Sequence, residues 1–279
     1  MQIVSNIRGV NPGRTTVEHD LSVGDRAFFA LNPLGRRVAD AAREFVATHG
    51  RVGEGALPVV VIPGFLNDAA DLRAMRYFLR ELGFPTEVVK TKLRSTASVF
   101  GDARDAADVG ERLMQAHGTD GYVLLGYSRG GLGIEAMRTS MPERFRNVAS
   151  AVYVDSPITL SKGGSSTPAL RALGLLSDAI SSGAKELKRD PSIWKGWIST
   201  RESGLRVAAI ARGDFTAVAF QAAKQDVVSH AQSALPEIPG VTANIVSRGR
   251  GGHLIGLGLD TTTNAHLAEV LAALPANRR

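Results

Sequence analysis

The pattern of apolar and polar positions changes character at residue 57. Before it, Val23 to Leu31 fits a strand. Leu34 to His49 fits a helix with Val38, Ala41, Phe45 and Ala47 apolar, and Gly50, Gly53 and Gly55 then break the chain. From Leu57 onward, short β-branched runs alternate with segments of helical period. Pro58 to Ile62 (PVVVI) has the composition of a strand buried on both faces. In Asp68 to Leu82, Leu72, Met75, Leu79 and Leu82 recur at spacings of three and four, the signature of an amphipathic helix, and Gly83 and Pro85 end it. Thr86 to Thr91 is a second strand. Val99 to His117 is a helix with Val99, Ala103, Ala106, Val109 and Leu113 in phase. Gly121 to Tyr127 (GYVLLGY), Gly130 to Met141 and Ala149 to Asp155 continue the series as strand, helix and strand.

Residues 157 to 212 interrupt it. Ser161 to Thr167 (SKGGSST) is a flexible entry. Pro168 to Leu187 carries an apolar stripe of Leu170, Leu173, Leu176 and Ile180, and Trp194 and Trp197 follow. This stretch reads as a helical cap or lid inserted into a single domain spanning residues 1 to 279. The alternation resumes with strands at Ala217 to Ala223 and Val241 to Val246 and a closing helix at Thr261 to Leu274. Strands alternating with helices imply right-handed crossovers and a mainly parallel sheet with helices on both faces, an α/β fold. In such sheets ligands sit beyond the carboxyl ends of the strands, here at Pro63–Leu66, Ser128 and Asp155.

Composition narrows the chemistry. The chain has no cysteine, which excludes disulfides, thiolate metal sites, iron–sulfur clusters and a cysteine nucleophile. At 279 residues it can bury a full core without a structural metal. No apolar run approaches the roughly 20 residues of a membrane span. The formal charge of +6 is spread through stretches of mixed sign, and aromatic residues make up only 6%, which argues against nucleic acid as a partner. The first residues, MQIVSNIRGVNPGR, lack the apolar core of a secretory signal, so the expected location is cytoplasmic, or secreted if a leader has been removed.

Gly126-Tyr127-Ser128-Arg129-Gly130 is G-x-S-x-G. It follows an apolar strand and opens a helix, the context in which a serine occupies a sharp, strained turn with its hydroxyl exposed at the end of a sheet. Side chains two positions before and after would strike neighbouring elements, and glycine removes them. The competing reading is a glycine-rich turn cradling a phosphate, but the G-x-G-x-x-G spacing is missing.

From Pro58 to Leu274 the chain resembles the α/β-hydrolase superfamily, and within it the lipase- and esterase-like serine hydrolases. VVVIPGF resembles the family's strand and oxyanion loop, with Pro63 where histidine is commoner. MPERFRNV (Met141 to Val148) resembles the segment after the nucleophile helix. FQAAKQDVV resembles the strand and turn that deliver the acid, and GGHLIGL the histidine loop. The resemblance implies an oxyanion hole built from the backbone N–H groups of Phe65 and Arg129.

Six histidines compete for the role of base. His19 and His49 precede the recognised core, His117 ends a helix, His230 and His266 fall within helices, and His253 lies in a loop before the last helix. His253 is therefore the candidate. Asp226 is the first choice of acid, because it follows the strand at Ala217 to Ala223 and the 27 positions to His253 leave room for a helix, a strand and the loop, with Asp155 and Asp214 as alternatives. The expected reaction is hydrolysis of carboxylic esters with hydrophobic acyl groups through an acyl-enzyme, with no cofactor and no metal. The expected partner is a small-molecule or lipid ester, with transient contact at a lipid surface but no stable membrane insertion. The alternatives are an amidase, thioesterase or acyltransferase with the same triad, and a ligand-binding relative without turnover.

Overall fold

The structure, a computed structural model, describes residues 22–64, 67–91, 99–154, 156, 217–222, 242–245 and 261–272. Among these, β1 (Val59–Ile62), β2 (Thr86–Val88), β3 (Tyr122–Tyr127), β4 (Val148–Val154), β5 (Ala217–Ala222) and β6 (Thr242–Ile245) form one sheet in the order β2-β1-β3-β4-β5-β6. Every pairing is parallel, as the alternation of strands and helices requires. The helices are α1 (Val23–Leu31), α2 (Pro33–His49), α3 (Arg73–Glu81), α4 (Val99–His117), α5 (Gly130–Ser140), α6 (Pro142–Phe145) and α7 (Thr261–Ala272).

Successive strand residues divide between two cores, because side chains alternate across a strand. Val59, Val61, Val123, Leu125, Tyr127, Val152 and Val154 face one core, covered by α1, α2, α3 and α7 through Phe29, Phe45, Phe78 and Leu267. Val60, Ile62, Tyr122, Leu124, Ala151 and Tyr153 face the other, covered by α4, α5 and α6 through Phe100, Ala106, Ile134 and Phe145. Burial of both faces explains why β1 and β3 are continuous apolar runs rather than alternating ones.

The strand order locates the site. The step from β1 to β2 runs in one direction through α3. The steps from β2 to β3 and from β3 to β4 run in the other, through α4 and α5. Crossovers of one hand then place α3 on one face and α4 and α5 on the opposite face. Neighbouring strands β1 and β3 thus send their chains away to opposite sides, and such a switch point leaves a crevice at the carboxyl ends. One rung runs Tyr127, Val154, Gln221, Asn244 across β3 to β6, so these four strands finish on a common rim.

Some expectations require correction. Val23–Leu31 is a helix, not a strand. Ser22 caps it, its hydroxyl accepting the Asp25 N–H at 3.1 Å, and Asp25 pairs with Arg76 of α3 at 2.7 Å. Four residues on, Phe29 stacks on Tyr77 of α3 at 4.0 Å. A strand would have turned Phe28 and Phe29 to opposite sides, but here both pack on the same core. The buried face of α2 is Gly35, Val38, Ala39, Ala42 and Phe45, and Ala47 is exposed. The second strand ends at Val88 and α3 begins only at Arg73, after turns at 69–72. The cap expected at 157 to 212 lies outside the described residues. No described helix is long and apolar enough to cross a membrane.

Helix α5 is anchored to β4 by a buried polar contact. Tyr153, fully inaccessible, donates its hydroxyl to Glu135 Oε1 at 2.9 Å, and Arg138 pairs with Glu135 Oε2 at 3.2 Å. Burial first, and then the Glu135 carboxylate, hold the Tyr153 phenol well above its ordinary value of 10.0. A phenol raised in this way stabilises the fold below pH 10, and that contribution is lost as pH climbs through the range above it. Tyr153→Phe is therefore expected to lower stability near neutral pH by about 1–2 kcal/mol and to make the decline above pH 10 shallower than in the wild type. Urea unfolding at neutral and alkaline pH measures both.

Candidate active site

The chain leaves β3 at Tyr127 and enters α5 at Gly130, so Ser128 and Arg129 make the whole turn. Ser128 has φ 53°, and among the described residues no other non-glycine residue has a positive φ. A non-glycine residue in the left-handed region costs about 1–2 kcal/mol. It persists only where its surroundings over-determine it.

Those surroundings are specific. The Ser128 N–H donates to the Val154 carbonyl at 2.8 Å, and the Ser128 carbonyl accepts the Gly131 N–H at 3.1 Å. Ser156, fully buried, donates its hydroxyl to the Gly126 carbonyl at 2.9 Å and also lies 3.2 Å from the Val154 carbonyl. On the other side the backbones of β1, β3 and α5 approach too closely for side chains. A Cβ on Gly126 would stand 2.5 Å from the Gly131 nitrogen, and one on Gly130 would overlap the Ile62 carbonyl oxygen. These are the clashes that glycine at 126 and 130 was expected to avoid.

The Pro63-Gly64 turn closes on the same point. A Cβ on Gly64 would stand 2.9 Å from Ser128 Cβ, so the segment after β1 touches the residue after β3. Both Pro63 and Gly64 are buried. Asn67 donates its N–H to the Gly64 carbonyl at 3.1 Å, and the Thr91 hydroxyl lies 3.4 Å from the Asn67 carbonyl. Ser128 itself is 7% exposed. Helix α5 starts two residues later, and the partial positive charge at its N-terminus favours negative charge at the turn.

Arg129 is buried as well, its guanidinium Nη1 2.6 Å from Asp102 Oδ2 in the first turn of α4. Asp102 was not among the candidate residues. The signal was present, because position 102 falls within the apolar stripe of Val99, Ala103 and Ala106. A carboxylate there must find a cation or a donor set. Ser156 gives no comparable signal.

Of the expected site residues, the structure brings Ser128, Arg129 and the Pro63-Gly64 turn together. Phe65, Asp155, Asp214, Asp226 and His253 lie outside the described residues. Among the histidines set aside, His49 and His117 end α2 and α4, which lead into the amino ends of β1 and β3, the rim opposite Ser128. The His49 ring stacks on Phe45 and its Nδ1 lies 3.3 Å from the Phe45 carbonyl. Among the described residues no group of three or more His, Asp or Glu side chains is gathered as metal ligands would be.

No protein-family model and no curated protein sequence matches the chain. Solved structures do. A metagenomic carboxyl esterase is 18% identical, with 84% of this chain and 90% of that one covered and a TM-score of 0.50. A Bacillus licheniformis lipase in its propeptide form is 13% identical with a TM-score of 0.51, over 81% of this chain and 52% of that one. Aspergillus fumigatus lipase B is 15% identical with a TM-score of 0.49, over 81% of this chain and 66% of its own. The chain therefore spans about half the length of the propeptide-form lipase and just under two thirds of lipase B. With the parallel sheet and its helices on two faces, the first two likenesses show the α/β-hydrolase fold.

The strain at residue 128 has a measurable consequence. Ser128→Gly and Ser128→Ala both remove the hydroxyl, but only glycine accepts φ 53° without cost. After allowing for the greater unfolded-state entropy of glycine, Ser128→Gly is expected to be more stable than Ser128→Ala by about 0.5–1 kcal/mol. Denaturant midpoints of the two variants check this, and an alanine variant as stable as the glycine one contradicts it.

Proposed function

We propose that this protein is a serine hydrolase that cleaves carboxylic esters with hydrophobic acyl groups through a covalent acyl-enzyme. The observation that carries the reading is the left-handed backbone of Ser128 at the carboxyl end of β3, in contact with Gly64 at the carboxyl end of β1. A residue in that conformation projects its hydroxyl out of the sheet, into the crevice of the switch point. The solved structures similar in fold are named as esterases and lipases, in keeping with this assignment.

In this mechanism His253 accepts the Ser128 proton as Oγ attacks the ester carbonyl carbon. Asp226 orients the imidazole and stabilises its cationic form. The backbone N–H groups of Arg129 and Phe65 stabilise the oxyanion, each worth about 3 kcal/mol of barrier. The tetrahedral intermediate collapses, the alkoxide leaves with the proton from His253, and water then repeats the sequence to release the acid. The dipole of α5 supports the same negative charge. The common rim supports the topology of the triad. β5 ends at Ala222, four residues before Asp226, and β6 and α7 flank the segment that contains His253. The hydrophobic acyl preference rests on Phe65 and Leu66 beside the oxyanion turn and on the apolar stripe with Trp194 and Trp197 in the 157–212 cap.

A p-nitrophenyl ester chain-length series tests the assignment. Ser128→Ala and His253→Ala are each expected to lower kcat by at least about a thousandfold with native unfolding curves. Asp226→Asn is expected to lower it by a comparable factor, and Asp155→Asn and Asp214→Asn to remain within about threefold of wild type. Rates that rise with acyl length support the hydrophobic preference. Wild-type rates in Ser128→Ala remove the nucleophile, and a dead Asp155→Asn beside an active Asp226→Asn transfers the acid to Asp155.

A further inference from the structure

The geometry points to the buried Arg129–Asp102 ion pair as a positioning device that fixes the residue 129 peptide, the amide proposed above to face the oxyanion. The inference rests on the reading of Ser128 as nucleophile and extends it to two side chains that touch no substrate.

The pair is unusual in its setting. Arg129 stands at the N-cap of α5, where the helix dipole disfavours a cation, and its side chain is 8% exposed. Asp102 is 3% exposed, in the first turn of α4, whose Val99, Phe100 and Ala103 belong to the second core. Burying two charges there has a desolvation cost that their attraction only roughly offsets, so apolar side chains of similar volume would serve stability as well. An ion pair adds directional geometry, because a planar guanidinium held at 2.6 Å from a carboxylate on another helix has little freedom to rotate.

That geometry acts where the backbone needs it. The peptide joining Ser128 to Arg129 is fixed on one side by the Ser128 carbonyl, which accepts the Gly131 N–H at 3.1 Å. In the next peptide the Arg129 carbonyl accepts the Leu132 N–H at 2.9 Å. Both bonds lie within the turn, so they hold its shape but not its position against α4. Tying the Arg129 side chain to α4 holds residue 129 against a second helix, so the turn cannot shift as a unit. The amide of residue 129 is then aimed before substrate arrives, which is how a donor of this kind acts most effectively.

The test replaces the pair with apolar side chains, Arg129→Met with Asp102→Leu. The net charge of the site is unchanged. Three quantities are measured on the full chain. They are the unfolding midpoint, the kcat and KM for a p-nitrophenyl ester, and the rate of labelling by a fluorophosphonate, with the labelled residue mapped by mass spectrometry. Expected are a near-native midpoint, labelling at Ser128 slowed by at least about tenfold, and a parallel fall in kcat with KM within about twofold. Wild-type labelling and kcat at a native midpoint overturn the proposal, since the pair is then structural only. If the apolar variant does not fold, Arg129→Lys takes its place, keeping the charge opposite Asp102 on a flexible stem without the planar fork. A slowing of about threefold or more at a native midpoint supports the proposal, and an unchanged rate overturns it. Failure of the underlying reading is visible separately, in the wild type. Labelling that is absent or maps away from Ser128 removes the nucleophile and the proposal with it.

Discussion

Three backbones meet at residue 128 at distances that no Cβ would tolerate. Gly126 lies against the start of α5, Gly130 against the end of β1, and Gly64 against Ser128 itself. The turn must therefore be tight, and a tight turn from strand to helix leaves its first residue in the left-handed region. Everything proposed for the chemistry follows from that constraint. The serine is forced out of the sheet, the helix N-terminus is brought beneath it, and the segment after β1 is pressed against its side. Relaxing any one of these contacts would give room for the ordinary right-handed backbone and would turn the hydroxyl away from the crevice.

The energetics of such a turn are unfavourable locally and are offset by what surrounds it. The ladder between β3 and β4 is extended one residue beyond the strand by the Ser128 N–H, and the Ser156 hydroxyl closes on Gly126 from the same side. On the opposite face, Tyr153 and Glu135 fasten α5 to β4, while Arg129 and Asp102 fasten its first residues to α4. Polar groups in an apolar layer are costly unless paired, and pairing is directional. The second core thus combines aliphatic packing, which sets distance, with a few buried polar contacts, which set angle.

Much of this was legible in the chain. Val59 to Ile62 and Tyr122 to Tyr127 read as fully buried strands because both faces of a parallel sheet are covered, and the helical period from Val99 to Leu113 is clear because α4 docks over that stretch. The glycines at 126 and 130 marked a tight turn from strand to helix, where the close backbones leave no room for a Cβ. What escaped depends on partners distant in sequence. Asp25 meets Arg76 across 51 positions and helps to keep α1 a helix, where local pattern suggested a strand. Asp102 meets Arg129 across 27, and Ser156 meets Gly126 across 30. No local period encodes such pairings, although a carboxylate in the apolar stripe of α4 was a sign that one existed. The acid and the base follow from loop order and resemblance alone, since Asp226 and His253 lie outside the described residues.

The most direct measurement is a crystal structure of the protein after reaction with a small alkyl fluorophosphonate. Expected is a covalent bond from Ser128 Oγ to phosphorus, with residue 128 still at positive φ. The phosphoryl oxygen should then lie about 2.7–3.1 Å from the backbone nitrogens of residues 65 and 129, with the His253 imidazole in hydrogen-bond reach of Oγ. An unmodified Ser128 in crystals of folded, reagent-treated protein, or a phosphoryl oxygen directed away from both amides, would contradict the assignment.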